Sequence, residues 1–339
     1  MIKRCVIFQQ MTLFDTEAAR AQPPPKAARE SSQIEWSHSR RDLFERCLFW
    51  YYGSYYGARK GTAKSEPRKE ELRFLKKLDN VNLRVGTIMH LVIRACLQHS
   101  KQGDHWTLER ALSWAQEIYK QDLNFSREYR PGIPLPSGNN APVLLMEFFY
   151  GFPDADELWE KSVARLQKAL TNFFTNPEFE RFHHGASHPD SLIEKTVRLK
   201  DRHFNLRGQI DLAYPENERQ VVLDWKIGAA DGESSDSLQL LSYALAAVED
   251  LGCAPESLDL YKVYLGDGDG KVTVYTVRAH QMRSARARII QDTERMHSMD
   301  QYGRDGVSGA FTPCGQPRVC RMCPFQVLCP KGVEVDVGD

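Results

Sequence analysis

The sequence lacks any long hydrophobic run. No stretch approaches the roughly 20 apolar residues of a membrane-spanning helix. The first ten residues, MIKRCVIFQQ, contain an apolar run of only four, which is too short for the core of a signal peptide. These absences favour a cytoplasmic protein that does not contact the membrane.

Net charge and a nucleotide-binding loop are also absent. The 45 basic residues balance the 45 acidic residues, so the chain as a whole has no field that would recruit nucleic acid, and DNA contacts must come from local basic segments. No G-x-x-x-x-G-K-[S/T] loop is present, and GTAKS at 61–65 only approaches one. The chain therefore has no recognisable helicase motor, and unwinding of DNA would require a partner.

Cysteines are too few for a disulfide framework, because only eight occur in 339 residues. Cys320, Cys323 and Cys329 nevertheless lie close together in CRMCPFQVLC, and such clusters in a chain without an export signal indicate a metal site. Thiolates at this spacing suit zinc or an iron–sulfur cluster. A fourth ligand has to come from elsewhere, and Cys314 competes with Cys320.

The hydrophobic pattern changes its period along the chain. Residues 15–35 are proline-rich and polar, which is typical of a linker. Ser39, three residues before Asp42, predicts the start of a helix that continues through the aromatic run to about residue 60. Helical periodicity predicts further helices at 81–99, 104–124, 155–183, 235–250 and 280–299. Alternation predicts strands at 191–199, 203–213, 220–228, 258–265 and 271–277.

Two of these strands form a predicted hairpin with acidic residues. In the first strand, alternation places Phe204, Leu206, Ile210 and Leu212 on one face and Arg207, Gln209 and Asp211 on the other. Asp224 and Lys226 share a face of the second strand, and antiparallel pairing can bring Asp211 beside Asp224. Adjacent carboxylates are tolerated when they share a divalent cation, and a nearby lysine can orient water for metal-assisted phosphodiester hydrolysis. Alternatively, these acids are edge residues that face solvent.

The order of these motifs resembles that of the PD-(D/E)XK nuclease superfamily, in its RecB-like branch. The matching residues are Gly86 and His90 in a helical G-x-x-x-H, Asp211 in GQID, Asp224 and Lys226 in DWK, and Gln239 and Tyr243 in QLLSY. The resemblance implies an α/β, restriction-endonuclease-like core with a mixed central sheet flanked by helices. It implies Mg²⁺ or Mn²⁺ on His90, Asp211 and Asp224. It further implies catalytic roles for Asp211, Asp224, Lys226, Gln239 and Tyr243, the last two touching DNA or supporting Lys226. Glu194 stands where the family often has another acid, but it is not included in this predicted set.

A second resemblance concerns the cysteines. The segment SHSRRDLFERCLFWYY, which contains Cys47, resembles the one that supplies the first cluster cysteine in iron–sulfur RecB-like nucleases, among them the AddB nuclease domain and the CRISPR-associated exonucleases. This implies a [4Fe–4S] cluster on Cys47, Cys320, Cys323 and Cys329. The domain prediction is an N-terminal extension and flexible linker at 1–35, a nuclease domain at 36–330 and a tail at 331–339. Within the nuclease domain, 100–190 is a predicted helical insertion and 311–330 the cysteine cluster that closes on Cys47.

Basic residues concentrate near Cys47, and we predict that Arg59, Lys60 and Lys64, together with Tyr243, contact nucleic acid. Four tyrosines interleave with this charge, at positions 51, 52, 55 and 56, and either stack on bases or pack around the cluster. The predicted function is a metal-dependent DNA exonuclease or end-processing nuclease acting on single-stranded ends in repair, recombination, CRISPR adaptation or anti-phage defence. It would work with a helicase or another protein of these pathways. The alternatives are a catalytically silent DNA-end-binding or scaffold subunit of a helicase–nuclease complex, and a zinc-binding regulatory protein.

Overall fold

The computed structural model describes residues 34–59, 68–138, 141–228 and 236–331. Lys60 and Lys64, nearly all of the predicted extension and nearly all of the predicted tail lie outside these ranges. None of the described helices is both long and apolar enough to cross a membrane.

A mixed sheet of six strands forms the centre of the molecule. Its strands are β1 (Glu35–Trp36), β2 (Leu192–Lys200), β3 (Asn205–Glu216), β4 (Arg219–Lys226), β5 (Leu258–Tyr264) and β6 (Lys271–Thr276). The order is β1-β3-β4-β5-β6, and β2 also pairs with β3. The β1–β3 and β4–β5 pairs are parallel and the others antiparallel. The predicted α/β architecture with a mixed sheet is confirmed.

Eleven α-helices of the described residues surround this sheet. They are α1 (His38–Arg46), α2 (Leu48–Tyr52), α3 (Lys69–Leu75), α4 (Val81–Lys101), α5 (Leu108–Glu128), α6 (Met146–Phe149), α7 (Ala155–Thr175), α8 (Glu180–Ala186), α9 (Asp236–Leu251), α10 (Ala279–Arg304) and α11 (Pro317–Arg321). The sequence predicted most of the long helices within a few residues of their ends. It also predicted one continuous helix from residue 42 to about 60, and this prediction is wrong. Cys47 takes an extended conformation (φ −162°, ψ 116°) and separates α1 from α2.

Two hydrophobic layers cover the two faces of the sheet. On one face, helices α4, α5, α7 and α8 pack against residues such as Leu223 and Trp225. On the other, α1, α2, α9 and α10 pack against residues such as Val222 and Leu260. Trp225 is almost fully buried and meets the rings of Phe173 and Phe182 edge-on. Because Trp225 lies between Asp224 and Lys226 on the strand, its burial fixes the orientation of both polar neighbours.

The alternation of β3 reverses at Asp211, which corrects one prediction. Leu206 and Ile210 belong to one hydrophobic layer, as predicted, but Leu212 belongs to the other. The partner strand β2 reverses at the facing residue, Glu194, whose φ of 54° is left-handed. Strict alternation of side chains between the two faces could not predict this reversal, because β2 and β3 both change face where Glu194 lies beside Asp211.

One edge of β3 carries two different strands. β1 pairs with Asn205 and Leu206, and β4 pairs from Leu212 onward. Since β2 occupies the opposite edge along 205–213, β1 and β4 must share one edge. Between them, residues 207–211 have no strand neighbour on that edge within the described chain. We call this opening in the sheet the notch.

Candidate active site

Helix α4 delivers His90 to the sheet. The side chain of Asn80 caps the helix by accepting a hydrogen bond from Asn82 N, and the buried carboxylate of Glu147 accepts hydrogen bonds from Val81 N. His90 lies beside the buried face of α4 and is half-buried. Its Nδ1 is 3.4 Å from Asp211 Oδ1 and 3.6 Å from Glu194 Oε1.

Asp211 and Asp224 come together at the beginning of the β3–β4 pair, and both are buried. Asp211 Oδ2 accepts a 2.7 Å hydrogen bond from Trp225 N, so a side chain rather than the main chain joins the two strands here. Lys226 Nζ lies 2.7 Å from Asp224 Oδ2. The structure therefore brings together four predicted residues, His90, Asp211, Asp224 and Lys226.

Glu194 is the site residue that the sequence prediction left out. Ligand atoms of His90, Glu194 and Asp211 lie within 4.8 Å of one another, and no other such trio of His, Cys, Asp or Glu occurs among the described residues. Gln209 Nε2 donates a hydrogen bond to Glu194 Oε2 and holds this carboxylate in place. The left-handed backbone of Glu194 carries an energetic cost that is typical of functional positions.

The electrostatics of the trio favour positive charge between its carboxylates. Burial lowers the pKa of His90, but Asp211, Glu194 and Asp224 outweigh it and raise that pKa to about 10. Burial raises the pKa of Asp211, and the charges of Asp224 and Glu194 raise it further, whereas His90 lowers it. Several carboxylates close to one imidazole therefore favour positive charge at this point, as a divalent cation would supply.

Helix α9 supports the site from the other side. Gln239 Nε2 donates to Asp224 Oδ1 at 3.3 Å and to Tyr243 Oη at 2.8 Å. This pair therefore positions Asp224, and its predicted contact with DNA or Lys226 stays a prediction. Tyr243 lies directly on Gly208, where an added Cβ would come within 2.9 Å of the ring. Only glycine permits this approach of α9 to β3.

A buried lysine stands next to Asp224 and has no counterpart in the sequence prediction. Lys262 on β5 is the register partner of Asp224, so the two side chains share a face of the sheet. Lys262 is fully buried. No spacing signal could have identified it, because only the pairing of β4 with β5 brings it to the site.

A cleft of about 490 Å³ is lined by the trio together with Asp224, Lys226, Gln239 and Tyr243, but not by Lys262. Gly86 also lines it, one helical turn before His90, and a Cβ at that position would meet nothing closer than Ile227 at 3.9 Å. Packing therefore does not require glycine at position 86, and the absence of a side chain there leaves room beside His90. The cleft is large enough for a small substrate group, since ligand pockets typically occupy about 300–1,000 Å³.

The cysteines converge at a separate place, where α1 meets the segment 314–329. Burial, followed by the neighbouring thiols of Cys314, Cys329 and Cys47, raises the pKa of Cys320 to about 11. Burial also raises the pKa of Cys323, with Cys47, Cys329 and Cys320 contributing. The four predicted cysteines are thus neighbours. Cys314 is a neighbour as well, because its thiol interacts with that of Cys47.

The predicted nucleic-acid contacts divide into two groups. Arg59 lines a surface cavity together with Lys76 and Arg304, whereas Lys60 and Lys64 lie outside the described residues. Tyr51, Tyr52 and Tyr56 are buried and pack in the core. Tyr55 is half-buried and borders two cavities, and its stacking on a base stays a prediction.

Comparison with known proteins gives one extensive match. Residues 35–330 match the family model described as the PD-(D/E)XK nuclease superfamily. The match covers nearly all of the described chain, including every residue of the cleft. No curated protein matches the sequence.

Two solved structures are distantly similar. A protein of Eubacterium rectale, provisionally described as an exonuclease, aligns with a TM-score of 0.36 and 9% identity over 78% of this chain and 84% of its own. The structure of SSO0001 aligns with a TM-score of 0.30 and 16% identity over 53% of this chain and 80% of its own. At these scores, the assignment of the family rests on the family model.

Proposed function

The chain belongs to the PD-(D/E)XK nuclease superfamily, and from this we propose that it is a metal-dependent DNA nuclease that hydrolyses phosphodiester bonds as an exonuclease or end-processing enzyme of the RecB-like branch. The observation that carries the proposal is the joint placement of an oxygen-rich trio and a lysine–carboxylate pair. His90, Glu194 and Asp211 come within 4.8 Å of one another, and Lys226 lies 2.7 Å from Asp224. A subunit that only bound DNA would have no need of both.

The donor set fits Mg²⁺ or Mn²⁺, because three carboxylates and one imidazole converge in an acidic cleft. Glu194, Asp211, Asp224 and His90 would hold the cation. When bound, the cation would polarise the scissile phosphate and lower the pKa of a water molecule. The chain's own residues do the rest. Lys226 orients the attacking water through its ammonium group, and Gln239 with Tyr243 fixes the Asp224 carboxylate.

We further propose that Cys47, Cys320, Cys323 and Cys329 hold a [4Fe–4S] cluster. A tetrahedral zinc site, with Zn–S bonds of about 2.3 Å, brings its sulfurs to roughly 3.8 Å from one another. Among the described residues, no three cysteine sulfurs lie within 4.8 Å of each other. The wider separation favours a larger inorganic group than a single zinc ion.

Cleavage of end-labelled single- and double-stranded DNA tests the nuclease proposal. With Mg²⁺ or Mn²⁺, the wild-type protein should degrade DNA, and chelation should stop it. Asp224→Asn and Lys226→Ala should lower kcat by at least about a hundred-fold while DNA binding persists, because they affect the cation and the water rather than the strand. Lys161→Ala, at an exposed lysine paired with Glu157, is the matched control. Full cleavage by the Asp224→Asn protein would contradict the assignment.

A further inference from the structure

The notch in the sheet opens into a cavity next to the catalytic cleft. This cavity, the notch pocket, has a volume of about 440 Å³. Glu35 and Ser37 line it from β1 and the turn that follows, Arg207 and Gln209 from the open edge of β3, and Tyr243 from α9. The notch pocket shares Gln209, Gln239 and Tyr243 with the catalytic cleft. The two cavities therefore meet at these three side chains.

A third cavity continues the path away from the cleft. It has a volume of about 440 Å³ and shares Glu35, Arg40 and Tyr55 with the notch pocket. Its own lining includes Arg59 and Lys76. The three cavities are therefore neighbours in a row, and the third has basic side chains, with Asp300 and Glu35 as its carboxylates.

The polar groups of the notch pocket complement those of the cleft. The cleft concentrates carboxylates, whereas the notch pocket has two guanidinium groups, Arg40 and Arg207, and one carboxylate, Glu35, which is 3.8 Å from Arg207. The hydroxyl groups of Ser37 and Ser39, 3.3 Å apart at the start of α1, add donors. A phosphate in the cleft would be neutralised by a cation, but the next phosphate along the strand needs donors such as these.

An aromatic platform stands beside these donors. The guanidinium carbon of Arg40 lies 4.5 Å from the centre of the Tyr55 ring. Arg40 is fixed there, because its Nε and Nη2 donate to Tyr51 Oη at 3.1 and 2.9 Å and its Nη1 donates to the main-chain oxygen of Glu35 at 3.2 Å. A rigid Arg–Tyr stack at the rim of a pocket suits an unpaired base, which has both faces available.

We propose that the notch pocket binds the nucleotide adjacent to the scissile phosphate of a single strand, with its phosphate on Arg207 and the start of α1 and its base on the Arg40–Tyr55 platform. The proposal rests on the nuclease function proposed above. It makes the notch pocket a selector for unpaired ends, because a base that is still paired cannot lie on the platform.

The first test is equilibrium binding of a short fluorescent oligonucleotide without divalent cation, so that it does not depend on cleavage. Arg207→Gln should weaken binding of single-stranded DNA by about ten-fold and lower its salt dependence by about one phosphate contact. The matched control is Arg198→Gln, because Arg198 is exposed and is the register partner of Arg207 on β2 but does not line the pocket. If the two variants weakened binding equally, the loss of one positive charge at either position would explain the change in affinity, and the proposal would be overturned.

The second test uses oligonucleotides in which a single abasic position is moved along the strand. The wild-type protein should lose about ten-fold in affinity at one position, and Tyr55→Leu should abolish this position dependence. Binding of blunt duplex as tightly as single strand, or indifference to every abasic position, would overturn the assignment. If the wild-type protein binds as described but cuts no DNA under any metal condition, the nuclease proposal fails while the pocket assignment stands. If it cuts DNA while Arg207→Gln binds normally, the reverse holds.

Discussion

At the scale of single residues, Glu194 couples backbone conformation to the proposed metal site. It is one of two non-glycine residues in the described chain with a left-handed φ, the other being Asn217 at 56° in the β3–β4 turn. Asparagine tolerates this region well, whereas glutamate does not. The strand keeps an unfavourable conformation at Glu194 because it turns a carboxylate toward His90 and Asp211.

Replacing Glu194 by glycine should therefore separate stability from function. Glu194→Gly removes the conformational cost and one carboxylate of the trio, so the metal-free protein should gain about 1 kcal/mol in free energy of unfolding. Binding of Mn²⁺ should weaken by roughly ten-fold or more. Thermal unfolding and calorimetric titration with Mn²⁺ measure the two effects. Asn217→Gly is the control. Asn217 also has a left-handed φ, but it lies in the β3–β4 turn, so its replacement should leave Mn²⁺ binding intact.

Much of the site could be predicted from residue spacing. The order of His90, Asp211, Asp224 and Lys226 is visible in the sequence, and the structure brings all four together. Glu194 is not in the predicted set, and the direction of its side chain depends on the reversal of β2 and β3 at the same level. Lys262 was missed because its position beside Asp224 depends on pairing between distant strands. Both residues owe their place to tertiary geometry, which local periodicity does not contain.

At the scale of elements, the break between α1 and α2 places the Cys47 thiol. An uninterrupted helix was predicted because the aromatic run has helical character, but the extended conformation of Cys47 turns its side chain toward the segment 314–329. The helical turn after α2 packs tightly on the same segment. A Cβ at Gly53 would approach the Phe325 ring within 2.7 Å. The first helices and the cysteine segment therefore form one packing unit.

Gly53→Ala should disturb this unit. The added methyl group displaces Phe325, which lies between Cys323 and Cys329, and overpacking of this kind typically costs about 1–3 kcal/mol. We expect a lower iron content per purified chain and a lower melting temperature, measured by iron analysis and calorimetry. Gly309→Ala is the matched control, because a Cβ at Gly309 meets nothing within 4 Å. Equal iron content in both variants would show that Phe325 does not hold the cluster segment in place.

The elements themselves were largely predictable, and one cap was not. Sustained apolar periodicity identified the long helices, as in α4. The predicted start of α1 at Ser39 was wrong, since Ser37 is the cap and its hydroxyl accepts from Arg40 N at 3.2 Å. Ser37 and Ser39 each precede a polar residue by three positions, so local spacing does not distinguish the two as caps.

At the scale of the whole molecule, Cys47 and the segment 320–329 join two distant parts of the chain. The enclosed residues include β2 to β6, the cleft and α10. Cross-linking across so long a loop restricts the unfolded chain strongly, as the entropy of loop closure predicts. The cluster that we propose would therefore contribute to global stability, although it lies apart from the catalytic residues.

Removing one cluster ligand should reveal this contribution. Cys47→Ser should lose the iron, about four atoms per chain in the wild-type protein purified anaerobically, and should unfold at a clearly lower temperature. Cys253→Ser is the control, since that thiol is half-buried, donates to Ala247 O at 3.7 Å and is not among the proposed cluster ligands. Absorption spectra, iron analysis and thermal unfolding are the measurements. Stoichiometric zinc in a colourless, active protein would overturn the iron–sulfur proposal.

Substitutions at Cys314 and Cys320 test which four thiols are the cluster ligands. If Cys320 is a ligand, Cys314→Ser should retain the iron and Cys320→Ser should lose it, in the same preparation and assay. The opposite outcome would exchange the two residues. The contact between Cys314 and Cys47 makes this comparison necessary.

The two-residue strand β1 has a consequence for the order in which the molecule folds. Its residues Glu35 and Trp36 pair with Asn205 and Leu206, so that 170 residues separate partners (205 − 35 = 170). Such distant pairing is slow to form, and two residue pairs stabilise it little. On the ribosome, we expect the layer of α4, α5, α7 and α8 to assemble first. β1 can be fixed only after Asn205 and Leu206 have been synthesised, so a nascent chain would form this helical layer before Glu35 can border the notch pocket.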